Sequence, residues 1–177
     1  AREIMQLFTI GLVELNPDGT PRVDGSGNQI ETYDNDDITG LAKVFTGLSW
    51  ADGNFGGRFP DQAIPVAAYS PLTAFDSEHS PSEKAFLGVT IPANTPAAQS
   101  IDRALDVLFN HANTAPFLAR QLIQRFVTSN PSPRYVRNVA AAFETGFYRL
   151  PDGTTIGSLQ RGDLRPVIAA VLLDDEA

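Results

Sequence analysis

The chemistry open to this chain rests on few residue types. Among 177 residues there are two histidines, His79 and His111, and no cysteine. Thiolate nucleophiles, thiolate metal sites and disulfides are therefore excluded. His79 stands in Asp76-Ser77-Glu78-His79-Ser80, with Ser82 and Glu83 close behind. An imidazole among carboxylates can act as a general base, a metal ligand or a proton shuttle. His79, Glu78 and Asp76 are thus the candidate catalytic residues, and the activity they fit is hydrolysis, metal-assisted or not. The competing reading is a loop histidine that binds a backbone carbonyl and pins its own loop.

Other constellations are less complete. His111 follows Asn110 at a helix end, where the dipole favours a cation, so a cap accounts for it. Zinc would need His79, His111 and a carboxylate to converge. The run Asp24-Gly25-Ser26-Gly27-Asn28 has the alternating oxygens of a calcium loop, and with Asp18 it forms a calcium candidate. Its sixth position is Gln29 rather than Gly and its twelfth Asn35 rather than Glu, so turn chemistry is the stronger reading. Asp34, Asp36 and Asp37 read as a helix cap and first turn rather than a metal cluster. Arg120 and Arg125 lie on the polar side of a helix, with Arg2 and Glu3 as candidate ion-pair partners that hold helices in register. There is no G-x-S-x-G elbow, and Gly53, Gly56 and Gly57 do not lie between a strand and a helix as a phosphate loop requires.

A net charge of −8 with scattered cations argues against a nucleic-acid surface and disfavours docking on anionic lipid. No apolar run approaches the ~18 residues of a membrane span, so no membrane insertion is expected. An apolar share of 42% and a charged share of 19% are ordinary for a globular chain. Gly and Pro concentrate in the first hundred positions, which predicts a loop-rich part over 1–95 and a helical part over 96–177 of a single domain.

These residues need elements to hold them. Ile4, Leu7 and Phe8 predict a short helix stopped at Gly11. Residues 12–33 predict a β-hairpin with an irregular tip over Pro17–Asn28. A helix over 34–50 would bury Ile38, Leu41, Ala42, Phe45 and Leu48. Trp50 to Pro81 is irregular, with Phe55, Phe59, Tyr69 and Phe75 among its glycines and prolines; a long packed loop of this kind is where a site would be built. Phe86–Ile91 predicts one strand, and Thr95-Pro96 the start of a helix reaching Asn110. On that helix Ile101, Ala104, Leu105, Leu108 and Phe109 form the apolar stripe. Asn113 or Thr114 starts the next, with Phe117, Leu118, Leu122, Ile123 and Phe126 inward. A third begins at Asn130-Pro131-Ser132-Pro133 and buries Val136, Val139, Ala140 and Phe143. Gly146–Gly162 connects, with a turn at Pro151-Asp152-Gly153. A last helix over 163–174 turns Leu164, Val167, Ile168, Val171 and Leu172 inward. The fold class is mainly α: a bundle-like domain of about five to six helices with a small β-hairpin and one long irregular loop.

The segments AREIMQLFTIGLVELNPDGTP, ITGLAKVFTGLSW, EKAFLG, ALDVLFNHANTAPFLARQLIQRFVTSNPSP and RGDLRPVIAAVLLDDEA resemble, collinearly, the C-terminal half of the bacterial family of domain of unknown function 1800. The resemblance implies a predominantly helical protein, exported to the periplasm or secreted. It also implies an N-terminal helical half before the residues matching Ala1-Arg2-Glu3, so the chain is expected to be a fragment whose first partner is that missing half. The family pattern has a histidine before a Lys-x-x-Leu-Gly segment, often with an acid after it. His79, Lys84, Leu87 and Gly88 hold those places here, but Ser80 follows His79. The expected function is a non-catalytic scaffold or binding domain for another protein or an extracellular polymer, with the His79-centred hydrolase as the alternative. No cofactor is expected apart from the calcium candidate.

Overall fold

The computed structural model describes residues 1–51 and 70–177; the expected aromatic positions Phe55, Phe59 and Tyr69 lie outside them. The described residues are mainly α-helical, with three small antiparallel hairpins. They divide into two compact units, residues 1–2 with 33–107 and residues 3–32 with 108–177. This division does not follow the expected parts 1–95 and 96–177. Each unit is described by itself.

The first unit is built on α1, Asn35–Val44. Asp34 Oδ1 accepts the N–H groups of Asp36 and Asp37 at 2.8 and 3.0 Å, and Asp37 Oδ2 accepts the Asp34 N–H at 3.0 Å. The aspartates are a reciprocal cap, as expected. The helix stops at Val44 rather than near 50, because Gly47 takes φ +79°. A Cβ there would lie 2.5 Å from the Phe75 carbonyl oxygen and 2.9 Å from the His79 nitrogen, so no other residue fits. Chain direction then changes into β1, Leu48–Ser49, paired with β2, Thr73–Ala74. The buried face of α1 is Gly40, Leu41 and Val44, while Ala42 is exposed.

The single strand expected over 86–91 is two: β3, Lys84–Phe86, and β4, Val89–Ile91. Leu87 and Gly88 turn between them with φ of 48° and 72°, the twist a two-residue hairpin demands. Asp37 Oδ1 accepts the Leu87 N–H at 2.6 Å, and the missing side chain of Gly40 lets α1 approach the Ala85 carbonyl, where a Cβ would sit at 1.7 Å. α2, Ala97–Asn110, buries Ala97, Ser100, Ala104 and Leu108 and leaves Leu105 and Phe109 exposed. The expected stripe is therefore shifted toward its smaller residues.

The second unit opens on a π-helical turn, Ile4–Thr9. Ile10 N–H bonds Met5 O at 2.9 Å, five residues back. This wider spiral buries Met5 and Ile10 and leaves Leu7 and Phe8 outside, in place of the expected stripe. The expected hairpin over 12–33 is three short segments bridged in a closed cycle: Val13 to Glu31, Leu15 to Pro21, Val23 to Gln29. Glu14 N–H bonds Ile30 O, Ile30 N–H bonds Arg22 O, and Arg22 N–H bonds Glu14 O.

The core of this unit is α3, Thr114–Phe126, α4, Pro133–Thr145, and α5, Leu164–Leu173. Ala115, Ala119 and Ile123 of α3 face Tyr135, Val139, Ala140 and Phe143 of α4 and Val167, Ala170 and Val171 of α5. Alanines allow close helix approach, so the bulky Phe126 expected inward is exposed. Ser132 caps α4, accepting the Tyr135 N–H at 3.2 Å. The expected connection over 146–162 contains a hairpin, β5, Phe147–Arg149, and β6, Thr155–Gly157.

Candidate functional site

Three distant segments meet at His79. Thr46 lies within the turn after α1, His79 follows a short 3-10 turn at Asp76–Glu78, and Ser100 lies in the first turn of α2. His79 is 8% exposed and Ser100 fully buried. The ring Nδ1 lies 2.9 Å from the Thr46 carbonyl oxygen and Nε2 3.1 Å from Ser100 Oγ. A carbonyl only accepts, so Nδ1 carries the proton, and in the neutral ring Nε2 accepts from the Ser100 hydroxyl. Ser80 N–H donates to Thr46 Oγ1 at 2.8 Å, fastening the same loop a second time.

The carboxylates expected beside His79 are otherwise engaged or outside. Asp76 Oδ1 accepts the Ala97 N–H at 2.7 Å and so caps α2, the role expected of Thr95, whose hydroxyl instead donates to Pro92 O at 2.8 Å. Glu78 is exposed. A shallow cavity of about 210 Å3 is lined by Asp76, His79, Ser80 and Asn94, but not by Ser100. The arrangement is that of an imidazole used as a bracket between a carbonyl and a hydroxyl. A Ser–His pair is present as well, with its serine closed off from solvent.

Lys84 is the residue that sequence reasoning underweighted. It is fully buried, and its Nζ donates to Ser82 O at 3.2 Å. Burial pushes its pKa down, and the nearby Lys43 charge adds to this. Among the described residues no carboxylate pairs with it within 4 Å. The signal was available: Lys84 and Phe86 are two apart on one strand and share its inward face. Ser100 likewise falls on the buried helical repeat Ala97, Ser100, Ala104, Leu108.

In the second unit His111 Nδ1 accepts the Asn113 N–H at 3.1 Å, and burial holds its pKa below the ordinary 6.5, against the pull of Glu14. It is not the cation at the end of α2. That role belongs to Arg161, which donates to Phe109 O at 2.9 and 3.2 Å and packs over the Phe109 and Phe143 rings at 5.5 and 5.1 Å. Asn113 does not cap α3 with its side chain. It accepts the Leu15 N–H at 2.8 Å and donates to Ile10 O and Val13 O at 2.8 and 2.7 Å, pinning the first strand-like segment.

Asp18 accepts from the Thr20 hydroxyl and backbone and pairs with Arg137 at 3.0 Å; these bonds, Thr20's first, lower its pKa. Asp24 Oδ1 accepts the N–H groups of Ser26 and Asn28 at 2.8 and 2.9 Å, and these donors lower its pKa too. The tip therefore aims N–H groups at its aspartate, where calcium needs oxygens. Asp18 and Asp24 are held in separate turns. Among the described residues no group of three His, Asp or Glu side chains is placed to hold a metal. Glu3, Arg120 and Arg125 share the second unit without an ion pair among its described residues, and Arg2 falls in the first unit.

The family model described as protein of unknown function (DUF1800) matches residues 1–177, the whole chain. The chain belongs to this family. The DUF1800 match embraces both units and every segment that carried the resemblance, including His79 and Lys84. No curated protein and no solved structure matches the chain. Among the described residues no helix is long and apolar enough to cross a membrane.

Proposed function

We propose that this DUF1800 chain is a scaffold or binding domain whose partner is another protein, met in the periplasm or outside the cell as the family resemblance implies. One observation carries the reading. α5 is apolar on two sides: Val167, Ala170 and Val171 fill the core, while Leu164, Ile168 and Leu172 are 55%, 38% and 53% exposed at i, i+4 and i+8. A helix apolar all round belongs in an interior, and an outward stripe of this spacing fits the apolar face of a second helix. The bonding of His79 and Asp76 supports the same reading, because both are occupied in fastening the loop before α2.

The test is a photo-crosslinking amino acid at Ile168 in the native cell. One discrete protein adduct is expected, lost when Leu164 and Leu172 are replaced by Glu, with the melting temperature of the isolated chain unchanged. A diffuse smear, or a double variant that melts several degrees lower, would sink the reading, since the stripe would then be nonspecific or already packed.

The hydrolase reading keeps one supporting observation, the Ser100–His79 contact at 3.1 Å. A fluorophosphonate probe that labelled the wild type but not Ser100→Ala would favour it over the scaffold.

A further inference from the structure

The second unit contains a cleft of about 520 Å3 between α4, β5 and the end of α5, within the about 300–1,000 Å3 usual for ligand sites. None of its lining residues belongs to the outward stripe of α5. Its charged lining is two guanidiniums, Arg134 and Arg149, and two carboxylates, Asp174 and Asp175. These cancel, so the cleft offers no net attraction to an ion while presenting planar donors and acceptors on both sides.

The acceptor at its base is held rigidly. The Asp174 side chain is 3% exposed, its Oδ2 accepts Asn138 Nδ2 at 2.8 Å, its Oδ1 accepts the Glu176 N–H at 3.1 Å, and Arg134 stands 3.5 Å away. Tyr148 lines the same cleft, and a phenol hydroxyl both donates and accepts. Phe147 and Arg149 are two apart on β5 and so on one face of the strand, and Phe147 is 37% exposed. A partly bare ring supplies a flat apolar platform next to a fork of N–H donors.

We propose that this cleft binds a neutral carbohydrate chain. Adjacent sugar hydroxyls each donate and accept, which matches a lining of Arg134 and Arg149 donors, the exposed Asp175 carboxylate and the Tyr148 hydroxyl. The C–H face of a pyranose matches an exposed ring. A charge-neutral, pre-bonded cleft selects such a ligand over a phosphate or a carboxylate.

The experiment follows backbone amide shifts of the full chain during titration with cellotriose, chitotriose and maltotriose, with trigalacturonate as the anionic comparison. At least one neutral trimer should saturate shifts around Thr145–Arg149 and Asp174–Asp175, with a dissociation constant of about 1 mM or tighter. Trigalacturonate should bind at least about tenfold more weakly. Phe147→Ala should weaken the neutral trimer about tenfold, and Arg149→Ala by a smaller factor; both side chains are exposed, so the melting temperature should hold. The proposal is overturned if no neutral trimer saturates, if trigalacturonate binds as tightly, or if both variants bind as the wild type does.

Discussion

Among the described residues each unit buries three polar side chains, and the two sets are handled differently. In the second unit Asn113, Thr114 and Asp174 are 2%, 7% and 6% exposed; in the first, His79, Lys84 and Ser100 are 8%, 0% and 0% exposed. The second set is saturated. Asn113 makes three bonds to backbone, Thr114 donates to Leu108 O at 2.6 Å, and Asp174 gathers Asn138, Glu176 and Arg134. In the first set His79 and Ser100 satisfy one another, but Lys84 reaches a single carbonyl among the described residues. A saturated polar interior specifies packing, whereas an ammonium left with one neutral acceptor opposes it. The second unit therefore looks to its polar core for register, and the first carries a group that its fold does not need.

The largest consequence lies in the second unit. Asn113→Ala should strand the Leu15 N–H and the Ile10 and Val13 carbonyls at once. At about 1–3 kcal/mol for each buried group left unpaired, the expected loss is about 3 kcal/mol, or roughly 6–12 °C in melting temperature for a chain of this size. A loss near zero in a thermal melt would mean that water replaces the side chain, and the contrast between the units would dissolve.

Next in size is the first unit's bracket. His79→Ala removes bonds to both Thr46 and Ser100 and should cost about 2 kcal/mol. Combined with Ser100→Ala in a double-mutant cycle, it should show a coupling of about 1 kcal/mol in urea unfolding, because each residue is the other's partner. Additive losses would mean that the 3.1 Å contact contributes nothing.

What the sequence made legible follows the range of the interactions. Local signals were read correctly: the Asp34–Asp37 cap, the Ser132-Pro133 start of α4 and its buried face all depend on residues within a few positions of each other. Helix orientation was harder, because α3 and α5 carry more apolar residues than one face holds. Periodicity chose the bulkiest, Phe126 and Leu164, where packing chose Ala119 and Ala170. The two-strand split at Leu87 was hidden because a leucine occupies a left-handed position that usually announces itself as Gly or Asn. The site was legible as a residue and not as a role. His79 could be picked from composition, but its partners lie 33 and 21 positions away, and Asp76 caps a helix that begins 21 positions later. No spacing rule connects such residues.

The smallest effect separates the two units most sharply, because it should be a gain. Lys84→Met keeps length and apolar stem while removing the buried charge, and should stabilise the chain by about 1 kcal/mol at neutral pH. The sign can be followed with pH. Burial, then Lys43, lowers the folded pKa of Lys84 below 10.5. Between that lowered value and 10.5 the unfolded chain holds a proton that the folded chain has released. Wild-type stability should therefore rise through this window as pH increases. The variant lacks that rise, so its advantage should be complete below the folded pKa and shrink to nothing as pH approaches 10.5. Paired melts across this range check it. A Lys84→Met chain less stable than wild type at neutral pH would show that the ammonium has a favourable partner, and the first unit would then be as saturated as the second.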